Sequence, residues 1–122
     1  MKFAEDNTND RYMIQSVEPG RIRVAGRQFT QSLLVLPDRV VANWGPGSAD
    51  ELNANLLKDL LEYEPEIVIL GTGTRQVFPS PRLFVPLMDM GVGYEVMATD
   101  AACRTYNVLL AEGRRVLAAL IM

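Results

Sequence analysis

The sequence predicts an α/β domain with a central mixed β-sheet, helices packed on that sheet and an N-terminal antiparallel β meander. The length of 122 residues is that of one compact domain. The composition, 48% hydrophobic and 22% charged, is that of an average soluble globular protein. The hydrophobic pattern changes along the chain, from short runs between turn residues to alternating strand and helix signals, which favour a largely parallel sheet.

The first half of the chain carries the signals of antiparallel strands. The turn signal Pro19-Gly20 separates the first two runs and Pro37-Asp38 separates the last two. Such short connections join antiparallel neighbours, so we expect a β meander here. The predicted strands are residues 12–17, 21–24, 31–36 and 40–44.

A helix is predicted over residues 52–63, where leucines recur at helical spacing and acidic residues occupy the opposite face. Ser48 and Glu51 have the spacing of a capping box, in which two side chains satisfy backbone amides at a helix start. Pro65 is expected to end this helix.

The rest of the chain alternates between strands and helices. Ser80 and Pro81 are typical of a helix N-cap and first position, and Gly91 and Gly113 are typical of helix ends. The β-α-β-α-β order predicts right-handed crossovers and parallel strands. The predicted strands are residues 67–70, 94–97 and 115–121, and the predicted helices are residues 82–90 and 101–112.

The residue types that are missing exclude several chemistries. The chain has no histidine and one cysteine, Cys103. Histidine triads, Cys-His pairs, internal disulfides and cysteine-based zinc or iron–sulfur sites are therefore excluded, and we predict no metal site and no cofactor. A lone thiol suits a reducing compartment, and the polar start lacks a secretion signal, so we expect a cytoplasmic location. Residues 1–10 are predicted to be a flexible tail, with the domain spanning residues 11–122.

The net charge of −3 argues against nucleic-acid binding, which usually needs a basic surface. No apolar run approaches the roughly 20 residues of a membrane span, so none is predicted. Ten of the twelve basic residues are arginines, and a guanidinium forms forked contacts with anions. A local anion site therefore stays open.

Two segments are candidates for a binding site, because ligands of open α/β sheets bind beyond the carboxyl ends of the strands. One follows strand 67–70, and the other begins at Thr99-Asp100 and continues into the last helix. Glycine amides, an arginine and a helix N-terminus together can bind an anion. The candidate ligand-binding residues are Gly71, Thr72, Gly73, Arg75, Asp100, Arg104 and Asn107.

Each candidate has a structural alternative. Gly71 and Gly73 also suit a tight turn, and a dinucleotide fingerprint would need a third glycine where Gln76 stands. Asp100 can act as a general base or cap the helix. Asn107 can bind a ligand or brace the fold, with the 71–76 loop as its expected partner.

Cys103 and Trp44 have two interpretations as well. Cys103 lies in a first helical turn, where the helix dipole can activate a thiol, but it shares a face with Tyr106 and Leu110, which predicts burial. Trp44 is a candidate interaction residue because tryptophan is enriched in binding hot spots, and core filling is the alternative.

Three blocks of sequence resemble one family. The blocks are ILGTGTRQ at residues 69–76, GVGYEVM at 91–97 and DAACRTYNVLLAEGRR at 100–115. With Trp44 and Pro46 they resemble domain-of-unknown-function family 498 over about residues 10–122. The resemblance implies one three-layer α/β domain with a central mixed sheet and no established catalytic activity. The family positions present here are Gly71, Gly73, Asp100, Thr105, Asn107, Glu112, Gly113 and Arg114.

The family resemblance also implies a function, because its mitochondrial members include an assembly factor of respiratory complex I. We therefore expect a non-enzymatic interaction or assembly module with protein partners, among them respiratory-complex assembly proteins. The alternative is a small-molecule or anion-binding protein, or an enzyme, with its site at the Gly71–Gln76 and Thr99–Asp100 loops. A homodimer is expected only because it is the commonest oligomer.

Overall fold

The computed structural model describes residues 12–122, so the tail predicted at residues 1–10 lies outside the described part of the chain. Within that part the strands form one sheet of three strands and one of five. The strands are β1 (Ile14–Glu18), β2 (Arg21–Val24), β3 (Arg27–Phe29), β4 (Leu33–Leu36), β5 (Arg39–Val41), β6 (Ile67–Thr72), β7 (Gly93–Met97) and β8 (Val116–Ile121).

The helices are shorter or begin elsewhere than predicted. The first helix is followed by a 3-10 turn at Leu60–Tyr63, and the second is preceded by a 3-10 turn at Pro81–Phe84. The α-helices are α1 (Ala54–Asp59), α2 (Val85–Asp89) and α3 (Thr99–Ala111).

The small sheet is an antiparallel meander in the order β1-β2-β3. Its third strand, β3, is not among the strands predicted from the sequence. In the structure Ala25 and Gly26 have φ angles of +54° and +74°, so they form the two-residue turn of a second hairpin. The glycine marks a reversal of the chain, and strand pairing resumes directly after it.

The large sheet has the strand order β5-β4-β8-β6-β7. β6, β7 and β8 are parallel, while β4 runs antiparallel to β8 and β5 antiparallel to β4. The predicted mixed sheet is confirmed. All residues of β4 and of β8 are buried, as their uninterrupted apolar sequences require of strands covered on both faces.

One face of the large sheet is covered by α3 together with the meander. The hydroxyl of Tyr106 on α3 donates a hydrogen bond to the carbonyl of Tyr12 at 2.6 Å, which ties the helix to the chain entering β1. The apolar side chains of this layer form one core cluster. Its buried members are Ile14, Val17, Ile22, Val24, Leu33, Val35, Ile69, Ala102, Cys103, Tyr106, Leu110, Val116, Ala118 and Leu120.

The opposite face is covered by α1, α2 and the adjoining 3-10 turns. Phe84 stacks on Tyr94 with 4.2 Å between the ring centroids, so the start of α2 is anchored to β7. The structure therefore has three layers, as the family resemblance implied. The buried residues of this second cluster are Leu34, Leu36, Leu52, Leu57, Leu60, Val68, Leu70, Phe84, Leu87, Leu117, Ala119 and Ile121.

The predicted capping box does not form. Ser48 makes no side-chain cap, and the Glu51 carboxylate accepts from the Gly47 amide at 3.0 Å. The helix begins at Asn53, whose side chain accepts from the amide of Leu56 at 2.9 Å. An asparagine is as good an N-cap as a serine, and here it lies where the first α-helical turn starts.

Candidate functional site

The two candidate segments meet at the carboxyl edge of the parallel strands, where β6 ends and α3 begins. A Cβ atom on Gly71 would lie 2.8 Å from Thr99 Oγ1 and 2.9 Å from Thr99 Cα. No other residue fits there, because real Cβ contacts are almost never so short. Gly71 therefore permits α3 to pack directly against β6.

Three short hydrogen bonds join this edge. The amide of Gly73 donates to Thr99 Oγ1 and the amide of Thr99 donates to the Gly73 carbonyl, both at 2.8 Å. The Thr99 hydroxyl in turn donates to the carbonyl of Ile121 at 2.6 Å. Thr99, which is buried, thus connects the ends of β6 and β8 to the start of α3.

The loop after β6 is held by its own hydrogen bonds. The hydroxyl of Thr72 donates to the carbonyl of Arg75 at 2.7 Å and accepts from the amide of Val77 at 3.1 Å. The side-chain amide of Gln76 donates to the carbonyl of Val96 at 3.1 Å. The loop is therefore folded onto the sheet edge by contacts within the chain.

Of the predicted ligand-binding residues, Gly71, Thr72, Gly73 and Asp100 lie at this edge. Asp100 Oδ1 accepts from the amide of Ala101 at 2.9 Å. Arg104 lies one turn further along α3, with its Nη1 3.9 Å from Asp100 Oδ2. This pair is about half exposed, so its contribution to stability is small.

Asn107 lies two turns along α3. The sequence predicted the 71–76 loop as its partner, but in the structure its side chain contacts the meander. Its Nδ2 donates to the carbonyl of Ile14 and its Oδ1 accepts from the amide of Ile14, both at 2.9 Å. The side chain thus pairs with β1 as another strand would. These contacts are the bracing that was the alternative interpretation of Asn107.

Arg75 lies in the loop after β6 and is exposed. No carboxylate within residues 12–122 lies within ion-pair distance of its guanidinium. It lines a cavity of about 280 Å³ to which Asp50 and Thr74 also contribute.

A second cavity, of about 290 Å³, lies between the β1–β2 turn and the start of α3. Its walls include the apolar side chains of Val17, Ile22 and Ile121, and its rim includes Glu18 and Asp100. The sequence did not predict the meander wall, because nothing in a local pattern shows that the Pro19-Gly20 turn reaches a loop more than 50 residues away. Only the tertiary topology brings the two together.

Cys103 is fully buried in the layer between α3 and the large sheet. Burial, helped by the nearby Asp100 carboxylate, raises the pKa of its thiol from 9.0 to about 12. A thiol that keeps its proton is a poor nucleophile. The buried interpretation of Cys103 is therefore confirmed.

Trp44, the candidate interaction residue, is half-buried and packs against the cluster under α1 and α2. Its amide donates to the carbonyl of Ser32 at 2.8 Å. Part of the ring thus contributes to the core.

Exposed apolar side chains are concentrated in another segment, the crossover from β6 to β7. Phe78 is 77% exposed, Met90 68% and Met88 50%, and Val77 and Val85 are also exposed. In the described part of the chain only one other large hydrophobic side chain, Val108 on α3, is exposed to this degree. The sequence analysis did not identify this segment as a surface site. The sequence does contain a signal for it, because residues 83–90 carry more apolar side chains than one helix face can bury.

Other kinds of site find no support in the described residues. Among residues 12–122 no group of histidine, cysteine, aspartate and glutamate side chains has the arrangement needed to hold a metal ion. No helix there has both the length and the hydrophobicity needed to cross a membrane.

The same fold occurs in solved structures of bacterial proteins. A crystal structure of a Bordetella parapertussis protein has a TM-score of 0.87 and 38% sequence identity, and the match covers 93% of this chain and 97% of that one. A solution structure from Bordetella pertussis, described as a Mth938-like domain, has a TM-score of 0.83 and 31% identity, with 99% and 92% of the chains covered. The architecture is therefore that of a Mth938-like α/β domain.

The family model for "Protein of unknown function (DUF498/DUF598)" matches residues 14–121. The chain belongs to this family, which confirms the resemblance seen in the sequence. One relative is NADH dehydrogenase (ubiquinone) 1 alpha subcomplex assembly factor 3 of Danio rerio, 32% identical over 111 residues. The match covers 89% of this chain and 63% of that relative, so the chain spans less than two thirds of the relative's length.

Proposed function

We propose that the protein is a non-enzymatic interaction module that assists the assembly of a membrane-associated protein complex. The observation that carries the proposal is the concentration of exposed apolar side chains in the β6–β7 crossover. We define the crossover surface as Val77, Phe78, Val85, Met88 and Met90, which are 37% to 77% exposed. Exposed apolar side chains concentrated in one segment are a feature of protein-binding sites.

The crossover surface stands on an anchored segment. Phe84 and Leu87 are buried in the core, while Val85 and Met88 lie three residues apart on the exposed side of α2. A partner can therefore bind this part of the surface without ordering it first, which reduces the entropic cost of association.

Similarity to known proteins supports the same function. The relative from Danio rerio is named as an assembly factor of NADH dehydrogenase, which suggests protein partners in respiratory-complex assembly for this chain too. Trp44 is proposed as a secondary contact, because part of its ring stays accessible. The buried, unreactive thiol is compatible with the proposed cytoplasmic location.

Affinity capture from the native host in mild detergent, read by mass spectrometry, tests the proposal. We expect the wild-type protein to recover subunits or assembly proteins of one membrane complex. The double variant Phe78→Glu/Met88→Glu should lose them, because two carboxylates would have to be desolvated at the interface. The control Val108→Glu places the same charge on an exposed apolar position of α3 and should capture as the wild type does.

Stability and self-association are measured on the same variants. Both should unfold within about 0.5 kcal/mol of the wild type, because the substituted side chains are exposed. Sedimentation velocity distinguishes a homodimer formed through this surface from binding of another protein. Equal capture by the double variant and the wild type would contradict the crossover surface as the docking site.

A further inference from the structure

The cavity between the β1–β2 turn and the start of α3 has the features of a ligand site. Its volume of about 290 Å³ lies near the lower end for small-molecule pockets, roughly 300 to 1,000 Å³. It combines apolar walls with few polar groups, which is the usual composition of such pockets. Val17, Ile22 and Ile121 supply apolar wall, while Glu18, Thr74 and Asp100 contribute polar groups.

Two backbone donors that line this cavity are already used within the chain. The Gly73 amide donates to the hydroxyl of Thr99, and the Thr99 amide donates to the Gly73 carbonyl. The Ala101 amide donates to Asp100 Oδ1, so a carboxylate of the chain itself occupies the first turn of α3. No arginine or lysine lines the cavity.

The two charged side chains that line the cavity are those of Glu18 and Asp100, and each has an arginine within ion-pair distance on its own segment. Glu18 is bound by Arg21 at the β1–β2 turn, and this contact holds the pKa of its carboxyl below the ordinary value. Asp100 Oδ2 accepts no hydrogen bond from a described residue, and Arg104 Nη1, 3.9 Å away, is beyond hydrogen-bond distance. Asp100 thus offers an acceptor to a donor that enters the cavity.

We infer that this cavity binds a small organic cation, an ammonium group carried on an apolar body. The apolar body would lie against Val17 and Ile22, and the ammonium group would donate to Asp100 Oδ2. Such a ligand places its charge at the solvated rim and removes only its apolar part from water, so the cost of burying a charge is avoided. The site is separate from the crossover surface and does not depend on the proposed function.

Three probes of similar shape test the charge preference: phenethylamine, the uncharged 2-phenylethanol and the anion phenylacetate. Binding is followed at neutral pH by amide chemical shifts in two-dimensional nitrogen–proton NMR spectra of the full chain. We expect saturable shifts at Gly20, Gly73 and Thr74, with the amine binding about fivefold tighter than the alcohol, as one exposed charge pair allows. Phenylacetate should bind most weakly of the three.

Three variants locate the site. Asp100→Asn keeps an oxygen for the Ala101 amide but removes the charge, so the affinity for the amine should fall to that for the alcohol. Glu112→Gln, which removes a carboxylate at the far end of α3, should leave all three affinities unchanged. Thr74→Trp should abolish binding of every probe, because the indole would fill the cavity from an exposed loop position.

The outcomes are decisive in both directions. Amine preference that Asp100→Asn removes and Glu112→Gln keeps supports the inference. Phenylacetate binding as tightly as phenethylamine, or no saturable shift with any probe at millimolar concentration, would overturn it. The crossover variant Phe78→Glu/Met88→Glu should bind phenethylamine normally, so this inference and the docking proposal can fail separately.

Discussion

The two crossovers that connect the parallel strands differ in how many of their side chains are buried or hydrogen-bonded within the chain. The crossover from β7 to β8 is α3, which buries Ala102, Cys103, Tyr106 and Leu110 against the large sheet and the meander. Its polar groups bond inward as well, with Asn107 pairing with the backbone of Ile14.

The crossover from β6 to β7 is built from two short turns of helix instead. It anchors Phe84 and Leu87 in the core and leaves Phe78, Met88 and Met90 half or more exposed. Val108 is the one exposed large apolar side chain of α3, whereas Val85 and Met88 are both exposed on the much shorter α2. The β7–β8 crossover therefore buries most of its apolar side chains within the chain, while the β6–β7 crossover leaves more of them exposed.

The largest effect is expected where α3 packs most closely, at Gly71. Gly71→Ala should destabilise the protein by about 3 kcal/mol, because the new methyl group meets the Thr99 backbone, which cannot rotate away. The free energy of unfolding in urea measures the loss.

The matched control is Gly93→Ala at the start of β7. There a Cβ atom would lie 3.7 Å from Ile67 Cγ1, an ordinary contact, so stability should stay within about 0.5 kcal/mol of the wild type. If the two variants were equally stable, α3 would not pack on β6 as closely as described, and the contrast between the crossovers would weaken.

A smaller effect is expected from the buried hydroxyl that joins the strand ends. Thr99→Val keeps the shape of the side chain but leaves the Gly73 amide and the Ile121 carbonyl without their partner. A loss of about 2 kcal/mol follows from unsatisfied buried groups. Thermal and urea unfolding of the variant give the value.

The comparison at the other crossover is Ser80→Ala, which removes the cap of the 3-10 turn before α2. Its contact with the Arg82 amide is 3.4 Å long and exposed, so the loss should be less than about 1 kcal/mol. A larger loss for Ser80→Ala than for Thr99→Val would reverse the proposed difference between the two regions.

Much of the fold could be predicted from the sequence because its signals are local. The uninterrupted apolar runs of β6 and β8 and the spacing of apolar residues in α3 identify those elements without any knowledge of their neighbours. The strand order could not be predicted in this way. The position of β4 beside β8 depends on pairing between residues more than 80 positions apart, such as Leu33 and Leu120.

The candidate site shows the same division. Gly71, Gly73 and Asp100 could be located from the rule that sites lie at the carboxyl ends of strands. The partner of Asn107 could not, because Ile14 lies 93 positions away in the sequence and contributes only backbone atoms. The meander wall of the cavity could not be predicted for the same reason, because Val17 and Ile22 are apolar residues whose types do not indicate a site.

The smallest effect on stability is expected for Met88→Cys, which places a second thiol on the exposed side of α2. This variant allows the reactivity of the new thiol to be compared with that of Cys103 in one molecule. Met88 is 50% exposed, so the new thiol should have a pKa near the ordinary value of 9.0, whereas burial raises the pKa of Cys103 to about 12. At pH 8 about a tenth of the exposed thiol but only about one part in ten thousand of Cys103 is then thiolate, the reactive form.

Titration with an aromatic disulfide should find one reactive thiol in the folded variant, none in the folded wild type and one more in each after unfolding. Because the folded pKa of Cys103 is raised, the difference should persist as the pH rises through 9 and narrow only as it approaches 12. Rapid reaction of Cys103 in the folded wild type at pH 8 would show that the α3 layer opens readily, and would remove the contrast between a closed and an open crossover.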